Sequence, residues 1–408
     1  MTDNTATASI QLMTKLKRWL QNLLLVFGGV VLAVLIVEIG LRLIGLGHPR
    51  FDDVDEYRGW AYRPSFSDWY QYEGKAYVQI NSEGFRDREH SKTKPENTFR
   101  IAVLGDSFVA AQEVPLEQTF LNVMERKLCK DEAFSGKKVE VINFGVRGYG
   151  TAQELITLRE KVWQYAPDLV LLAFFTRNDV TNNYRFPEIK DFFRPYFIFQ
   201  DDKLVFDGSF VNSDAYRSRL SWWTLAYDTI RDRSRVVQIM FKIINSYSDR
   251  VKQQRVLTEG IKTSVLDKVY KEPADTNWQE AWQVTEELIR LMRNEVREKG
   301  ANFLVVTLSN PIQVHPEPSI RQKLMQDLGI SDLFYPDWRI NALAEREGFT
   351  VLNLAPSFQT YAEKNKVCLH GFDNFVPCFG HWNALGHQLA GEIISQKISE
   401  EQIKRESL

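Results

Sequence analysis

Short apolar runs alternate with amphipathic stretches through most of the chain. The apolar runs, long enough for buried strands and too short for helices, lie at 100–104, 138–143, 168–175, 302–308 and 349–354. Stretches with helical spacing follow at about 116–130, 151–165, 277–299, 338–347 and 383–399. This alternation predicts right-handed βαβ units and a parallel sheet covered by helices on both faces. Five strands are enough for a complete doubly wound α/β domain.

Two regions do not follow this alternation. Residues 180–300 separate the third and fourth strands and include a helical stretch near 218–246. This region also holds four tryptophans, namely Trp222, Trp223, Trp278 and Trp282. A long insertion at the carboxyl edge of a sheet is typical of a lid or substrate-binding cap; a structural elaboration and a surface resting on a membrane are the alternatives. Residues 47–99 are aromatic and aperiodic, and we expect a juxtamembrane segment packed on the domain.

The amino end carries the longest apolar segment. No charged residue lies between Trp19 and Val37, and the whole segment 19–46 is long enough to cross a bilayer. Basic residues precede it, so the positive-inside rule places residues 1–18 in the cytoplasm. We therefore predict a single-pass anchor in the cell inner membrane, with the remaining chain on the periplasmic side. A cleaved signal peptide is the alternative, although the run is long for one.

Composition narrows the class of protein. The 408 residues carry a net charge of −2 and are 44% hydrophobic, which suits one large core and gives no electrostatic case for a nucleic-acid partner.

The chain has three cysteines. Cys129 ends a predicted helix, where we expect a small buried side chain. Cys368 and Cys378 share a loop and either pair in an oxidising compartment or stay free. Their spacing to the histidines is not that of a zinc site, and no metal or cofactor is predicted.

A serine lies in the turn between the first strand and the helix that follows it. The apolar run ends at Gly105, which permits a sharp turn, and Ser107 comes two positions later. Reactive groups in α/β proteins are placed at such strand ends, because backbone N–H donors converge there. Gly-Asp-Ser is a common tripeptide, so the hypothesis that this serine is reactive depends on the residues at the other strand ends.

Three further strand ends carry matching chemistry. The second strand leads into a turn with three glycines at 145–150, which can supply a backbone N–H to an oxyanion. Asn178 follows the third strand, as an amide donor to an oxyanion or as a helix N-cap. His381 precedes the last helix and can act as general base for Ser107. His387 lies inside that helix, and we expect a structural role for it.

These four segments in order resemble the SGNH hydrolase superfamily, also called GDSL-type esterases and lipases. The matching blocks are Gly105–Phe108, Asn143–Gly148, Asn178–Asp179 and His381–His387. The resemblance spans roughly 100–400 and implies a flavodoxin-like, three-layer α/β/α sandwich. The anchor followed by residues 81–88 resembles the bacterial membrane-anchored branch of the superfamily.

The resemblance also implies a reaction. Ser107 would be the nucleophile and His381 the base, with the Ser107 N–H, the Gly148 N–H and the Asn178 amide as the oxyanion hole. The implied function is an esterase that forms an acyl-enzyme. Its membrane address favours acyl groups on envelope or exported polysaccharide, such as O-acetyl groups, or on lipid. The alternatives are an O-acyltransferase and a catalytically weak binding module for acylated glycan.

Two positions depart from the family pattern. Thr176 stands where the third block begins with glycine, and Cys378 stands where the family has an aspartate, three residues before the histidine. Losing the orienting carboxylate costs a serine protease roughly four orders of magnitude in rate. We therefore expect Asp373 to substitute, or a backbone carbonyl to orient a Ser107–His381 dyad, or activity to be impaired. A Cys368–Cys378 bridge would instead make the cysteine a loop staple.

Overall fold

The computed structural model describes residues 3–186, 193–244 and 265–407. Its strands are β1 (Asp52–Asp55), β2 (Gly59–Tyr62), β3 (Ser67–Tyr70), β4 (Ala76–Gln79), β5 (Thr98–Gly105), β6 (Lys138–Asn143), β7 (Leu169–Phe175), β8 (Tyr196–Gln200), β9 (Lys203–Asp207), β10 (Asn302–Leu308) and β11 (Thr350–Asn353). Five of them form one parallel sheet in the order β11-β10-β7-β5-β6, and the others pair as antiparallel hairpins. Every run that the hydrophobic pattern marked as a strand contributes to this sheet, so the prediction is confirmed.

Helices cover both faces of the sheet. They are α1 (Asp3–Leu43), α2 (Ser107–Ala110), α3 (Phe120–Leu128), α4 (Thr151–Glu160), α5 (Asn178–Asn182), α6 (Asp214–Arg219), α7 (Trp222–Arg233), α8 (235–244), α9 (Thr276–Glu298), α10 (Pro318–Leu328), α11 (Tyr335–Glu347), α12 (Leu354–Asn365) and α13 (Ala384–Glu406). Ile101 and Val103 of β5 pack toward α3, α12 and α13, whereas Ala102 and Leu104 pack toward α4, α9 and α11. This alternation produces the doubly wound, three-layer sandwich that the sequence predicted.

The strand order places a crevice beside β5. The chain leaves β5 for β6 on one side and later places β7 on the other, so the sheet order reverses at β5. Loops after neighbouring parallel strands diverge at such a reversal, and ligands bind in the gap between them. The predicted nucleophile follows β5, and the predicted amide donor follows β7.

Some elements differ from the predicted ones. Segment 47–99 contains two hairpins, β1-β2 and β3-β4, whose four-residue strands are too short to show a period. Helices α10 and α12 were not predicted, and α12 begins directly after β11. Within the predicted insertion, residues 187–192 and 245–264 lie outside the described residues. Trp278 and Trp282 are buried on α9 in the helical layer, whereas Trp222 and Trp223 are exposed on α7.

The amino-terminal helix is long enough to cross a membrane. Its stretch Met13–Leu43 has the length and apolar composition of a membrane span, and its side chains are exposed. Near its end the Glu38 carboxylate accepts hydrogen bonds from the backbone N–H groups of Arg235 and Val236, at 2.9 and 3.0 Å. These are the first residues of α8, so Glu38 caps that helix and fixes the end of α1 against it.

Candidate active site

Ser107 and His381 meet at the carboxyl edge of the sheet. Ser107 is the first residue of α2, directly after the turn that ends β5, and its side chain is partly exposed. The His381 Nε2 lies 2.8 Å from the Ser107 Oγ. This is hydrogen-bond distance for proton transfer from a serine hydroxyl to an imidazole. The two residues that the sequence paired are therefore adjacent in the fold.

A glutamate from the amino-terminal hairpin orients the imidazole. Glu73 lies between β3 and β4 and is buried, and its Oε2 is 2.6 Å from the His381 Nδ1. Its Oε1 accepts the backbone N–H of His381 at 2.6 Å. Because a carboxylate at Nδ1 holds the proton there, the Nε2 lone pair faces the serine hydroxyl. Serine, histidine and glutamate thus stand in the order that nucleophilic catalysis needs.

The carboxylate beside the histidine is Glu73 and not Asp373. Asp373 is exposed, and the described residues show no contact between it and the imidazole. Its neighbour Asn374 instead holds the glutamate loop. The Asn374 Oδ1 accepts the Gly74 N–H and its Nδ2 donates to the Gly74 carbonyl, both at 2.8 Å. The loop that carries Asp373 therefore supplies no carboxylate to the imidazole, and its Asn374 fixes the backbone next to Glu73.

A second buried carboxylate lies close to the imidazole. The Glu113 Oε1 is 3.5 Å from the His381 Nδ1, and its Oε2 has no hydrogen-bond partner. Burial disfavours the protonated imidazole, but Glu113 and Glu73 more than offset this and raise the pKa of His381 to about 9. Burial also raises the pKa of Glu113, against the lowering effect of His381. The two carboxylates therefore favour the protonated imidazole, and only the neutral form with its proton on Nδ1 presents a lone pair at Nε2 to the serine hydroxyl.

The loop that carries His381 is fixed from behind. Cys368 and Cys378 are joined by a disulfide, with their Cα atoms 4.9 Å apart. Gly380 has a φ of +89°, and a Cβ at this position would lie 2.0 Å from the Glu73 Oε1. Its carbonyl accepts from the Nδ1 of buried His370 at 2.8 Å, which requires that nitrogen to carry the proton. Only glycine therefore fits between the loop and the orienting carboxylate.

The two predicted oxyanion donors border one cavity. Asn178 is the first residue of α5 and does not cap it; its Nδ2 donates to the Asp106 Oδ2 at 3.0 Å. Asp106 also accepts the Phe108 N–H at 2.9 Å, so it ties the asparagine to the turn that carries the nucleophile. Gly148 has a φ of +79°, a conformation that favours glycine. Gly148 and Asn178 line a cavity of about 450 Å³.

This cavity has aromatic and cationic walls. Trp60, Tyr62 and Phe193 supply the rings, and Arg147 and Arg194 the positive charge. The Arg194 guanidinium lies 5.2 Å from the Trp60 ring centroid and donates to the Gly148 carbonyl at 3.3 Å. Such a carbonyl contact fixes the peptide that presents the neighbouring N–H groups. The cleft therefore combines stacking surfaces with donors, as a binding site for a polar ester requires.

Glu73, Glu113 and His381 are also the group that could hold a metal ion. Their ligand atoms all lie within 4.8 Å of one another. In the present arrangement the His381 Nδ1 and both Glu73 oxygens are already used in hydrogen bonds between these two residues. A metal at this position would have to displace the pair that orients the imidazole.

The remaining predicted residues have structural surroundings. His387 is buried, its Nδ1 accepts the Phe120 N–H at 3.3 Å, and burial lowers its pKa to about 3, consistent with the expected structural role. Cys129 is exposed, which contradicts the expected buried position; it lies at the end of α3, where the helix face turns to solvent. Thr176 is buried and accepts from the Asn310 Nδ2 at 2.8 Å.

Comparison with known proteins gives likenesses of fold only. No protein-family model and no curated protein matches the chain. An acetyl xylan esterase, AlAXEase, is 12% identical with a TM-score of 0.39, over 74% of this chain and 100% of its own. A catalytic mutant of an acetylxylan esterase from Geobacillus stearothermophilus is 11% identical, TM-score 0.38, over 76% and 96%. An α/β hydrolase from the metagenome of Lake Arreo, Spain, is 11% identical, TM-score 0.36, over 75% and 97%.

The fold and the site together define a class. The chain is a doubly wound α/β protein with serine, histidine and glutamate side chains in hydrogen-bonded order at the switch point of its sheet. Its sheet order agrees with the SGNH hydrolase fold that the four sequence blocks implied.

Proposed function

We propose that this protein is a membrane-anchored serine esterase of the SGNH type. It cleaves ester-linked acyl groups, and Ser107 carries the acyl-enzyme. The observation that carries the proposal is the hydrogen-bonded series from the Ser107 Oγ to the His381 Nε2 and from the Nδ1 to Glu73. This arrangement supplies a nucleophile, a base and an orienting carboxylate in one place.

The first half of the reaction forms the acyl-enzyme. The Ser107 Oγ attacks the ester carbonyl while the neutral His381 Nε2 takes the hydroxyl proton. The carbonyl oxygen becomes an oxyanion, for which the Ser107 N–H, the Gly148 N–H and the Asn178 amide are the donors. The tetrahedral intermediate then expels the alcohol, which receives the proton from the imidazolium. Glu73 stabilises that imidazolium through its charge and its contact at Nδ1.

The second half releases the acyl group. Water takes the place of the departed alcohol and attacks the acyl carbonyl while His381 removes its proton. The tetrahedral intermediate then collapses, the bond to the Ser107 Oγ breaks, and the imidazolium returns its proton to Oγ as the acid leaves. A sugar hydroxyl in place of water would transfer the acyl group instead. Both outcomes use the same residues, so the identity of the acceptor decides between hydrolase and O-acyltransferase.

The anchor sets where the substrate is found. Helix α1 is exposed, apolar and docked on α8, which supports a single pass through the inner membrane with the α/β domain on the periplasmic side. The bonded pair Cys368–Cys378 suits the same oxidising compartment. O-acetyl groups on envelope or exported polysaccharide, and acyl groups on lipid, are the esters available at that face.

The non-catalytic binding module is the alternative. Its support in the sequence was Cys378 at the place of the family aspartate, and Glu73 supplies a carboxylate at that place. Purified protein tested on p-nitrophenyl acetate and longer p-nitrophenyl esters separates the two functions. We expect hydrolysis, labelling by a fluorophosphonate probe, and loss of both in Ser107→Ala. Equal hydrolysis by wild type and Ser107→Ala, or a folded wild type that never labels, would refute catalysis at this serine.

A further inference from the structure

A second cavity lies between the end of the anchor helix and the catalytic cleft. It measures about 210 Å³ and begins at Gly47 and His48, shortly after α1 ends. Asp52, Tyr62 and Arg147 line both this cavity and the larger one that contains Gly148 and Asn178. The two cavities are therefore adjacent and share three lining residues.

Positive charge dominates this second cavity. Four arginines line it, namely Arg50, Arg147, Arg219 and Arg231, against one acidic residue, Asp52. Arg50 is neutralised by ion pairs with Asp53, Asp228 and Asp232, and Arg219 lies 4.0 Å from Asp228. Across the described part of the chain, no ion pair includes Arg147 or Arg231. Two of the four arginines that line the cavity therefore have no carboxylate within ion-pair distance in this part of the chain.

Buried donors in the same wall lack partners. The Arg231 side chain is 8% exposed and its Nε has no hydrogen-bond partner, nor does the Nε2 of Gln112, which is 3% exposed. The hydroxyl of buried Tyr70 is also unpartnered. All three groups belong to residues that line the cavity, and buried donors without partners favour a ligand that accepts hydrogen bonds.

The arginines that line the cavity also affect the protonation of His48 at its entrance. Burial, together with the positive charges of Arg231, Lys242 and Arg147, lowers the pKa of His48 to about 4. The imidazole at the cavity entrance is therefore neutral near pH 7 and adds no charge of its own. Its backbone N–H is already bound to the Gln238 Oε1 at 3.0 Å, which holds the entrance against α8.

We propose that this cavity binds a phosphate group of the substrate, while the ester of the same molecule lies at Ser107. A phosphate offers more acceptor oxygens than a carboxylate and suits several arginine and amide donors at once. Gln112 precedes Glu113, whose carboxylate lies 3.5 Å from the His381 Nδ1. The proposed phosphate cavity is therefore next to the site where the ester reacts. The substrate class is an acyl ester that carries a phosphate, either on a soluble glycan or in a lipid headgroup.

Binding can be measured apart from catalysis. Full-length Ser107→Ala protein in an uncharged maltoside detergent is titrated with inorganic phosphate and with glycerol 3-phosphate by calorimetry. We expect binding, and a Kd raised about tenfold in Arg231→Gln and in Arg219→Gln, since each removes a charge-assisted donor. Arg219 is partly exposed, so its variant remains informative if Arg231→Gln fails to fold. Arg233→Gln, exposed on the same helix and outside the cavity, is the matched control with unchanged Kd.

Repeating the titration in phospholipid nanodiscs identifies the source of the phosphate. Binding in both media supports a soluble phosphate-bearing glycan, and binding in detergent alone supports a lipid headgroup that already fills the cavity. No binding by the parent protein in detergent, or equal Kd values in both arginine variants and the control, overturns the proposal.

The catalytic consequence rests on the proposed esterase and is tested separately. Wild type should prefer 1-acetylglycerol 3-phosphate over 1-acetylglycerol in kcat/KM, by about tenfold or more, and Arg219→Gln should reduce that ratio while Arg233→Gln keeps it. Phosphate binding without any esterase activity would support the proposed phosphate cavity and refute only the proposed esterase activity. Hydrolysis of both esters at equal kcat/KM would refute the link between the two cavities.

Discussion

Replacing Glu73 by glutamine should disable the proposed enzyme without unfolding it. The carboxylate uses both oxygens on His381, one on the Nδ1 and one on the backbone N–H. Glutamine has the same shape but only one acceptor oxygen. If that oxygen keeps the backbone N–H, its amide N–H faces the Nδ1 and selects the tautomer with the proton on Nε2. That tautomer cannot accept the proton of Ser107.

Two effects determine how far Glu73→Gln lowers kcat. Presenting the wrong tautomer and losing the charge beside the imidazolium cost about four orders of magnitude in a serine protease, or about 5.5 kcal/mol of barrier. Glu113 lies 3.5 Å from the same nitrogen and keeps part of the electrostatic stabilisation. We therefore expect Glu73→Gln to lower kcat by about 10³–10⁴, with KM within about threefold because the cleft donors are untouched.

The assay is steady-state hydrolysis of p-nitrophenyl acetate by full-length protein in detergent, together with thermal unfolding to show that each variant is folded. Asp373→Asn is the matched control, since it removes a nearby carboxylate that is exposed and away from the imidazole, and it should retain wild-type kcat. The reasoning is refuted if Glu73→Gln keeps kcat within about tenfold of wild type, or if Asp373→Asn is the variant that loses activity.

Three further outcomes follow from the same site. Only neutral His381 can take a proton, and its pKa is raised to about 9, so kcat/KM should rise with pH up to about 9. Glu113→Gln should move this rise to lower pH, because it removes a charge that stabilises the imidazolium. A pH profile that Glu113→Gln leaves unchanged contradicts this. Asn374→Ala should lower kcat about tenfold to a hundredfold at similar KM, since it frees the backbone next to the orienting carboxylate, and the proposed positioning role fails if kcat is unchanged in folded protein. Dithiothreitol should lower activity by loosening the disulfide-closed loop, whereas EDTA should not, and a reversal of these two results would favour a metal site over the proposed triad.

The hydrophobic pattern was sufficient to predict the five strands of the sheet, and the end of the first of them pointed to Ser107 as the proposed nucleophile. The strands of the sheet are largely apolar, with few exceptions such as the ion-paired Arg100 and Glu140, since parallel strands covered on both faces have no polar side. The rule that such strands end at one edge places Ser107 but not His381, which lies beyond α12 and 274 residues after the serine. The flavodoxin-like strand order was implied by the family resemblance, since right-handed crossovers alone allow other orders.

The orienting carboxylate could not be predicted in the same way. Glu73 lies 308 residues before His381, in a segment whose short hairpin strands leave no period to detect. The signal available was indirect: Cys378 at the place of the family aspartate left open a substitute acid, a backbone carbonyl as orienting group, or impaired activity. Similarly, composition could not separate the buried Trp282 from the exposed Trp223, because their helices differ in what packs against them and not in residue type.

The long span between the members of the site has a consequence for how the protein is made. Glu73 and Ser107 are synthesised before His381, which follows Glu73 by 308 residues. A chain that stops before residue 381 has no base beside the serine, so under the proposed function it would not cleave esters. The proposed reactivity therefore requires synthesis past residue 381 and closure of the loop that carries the histidine.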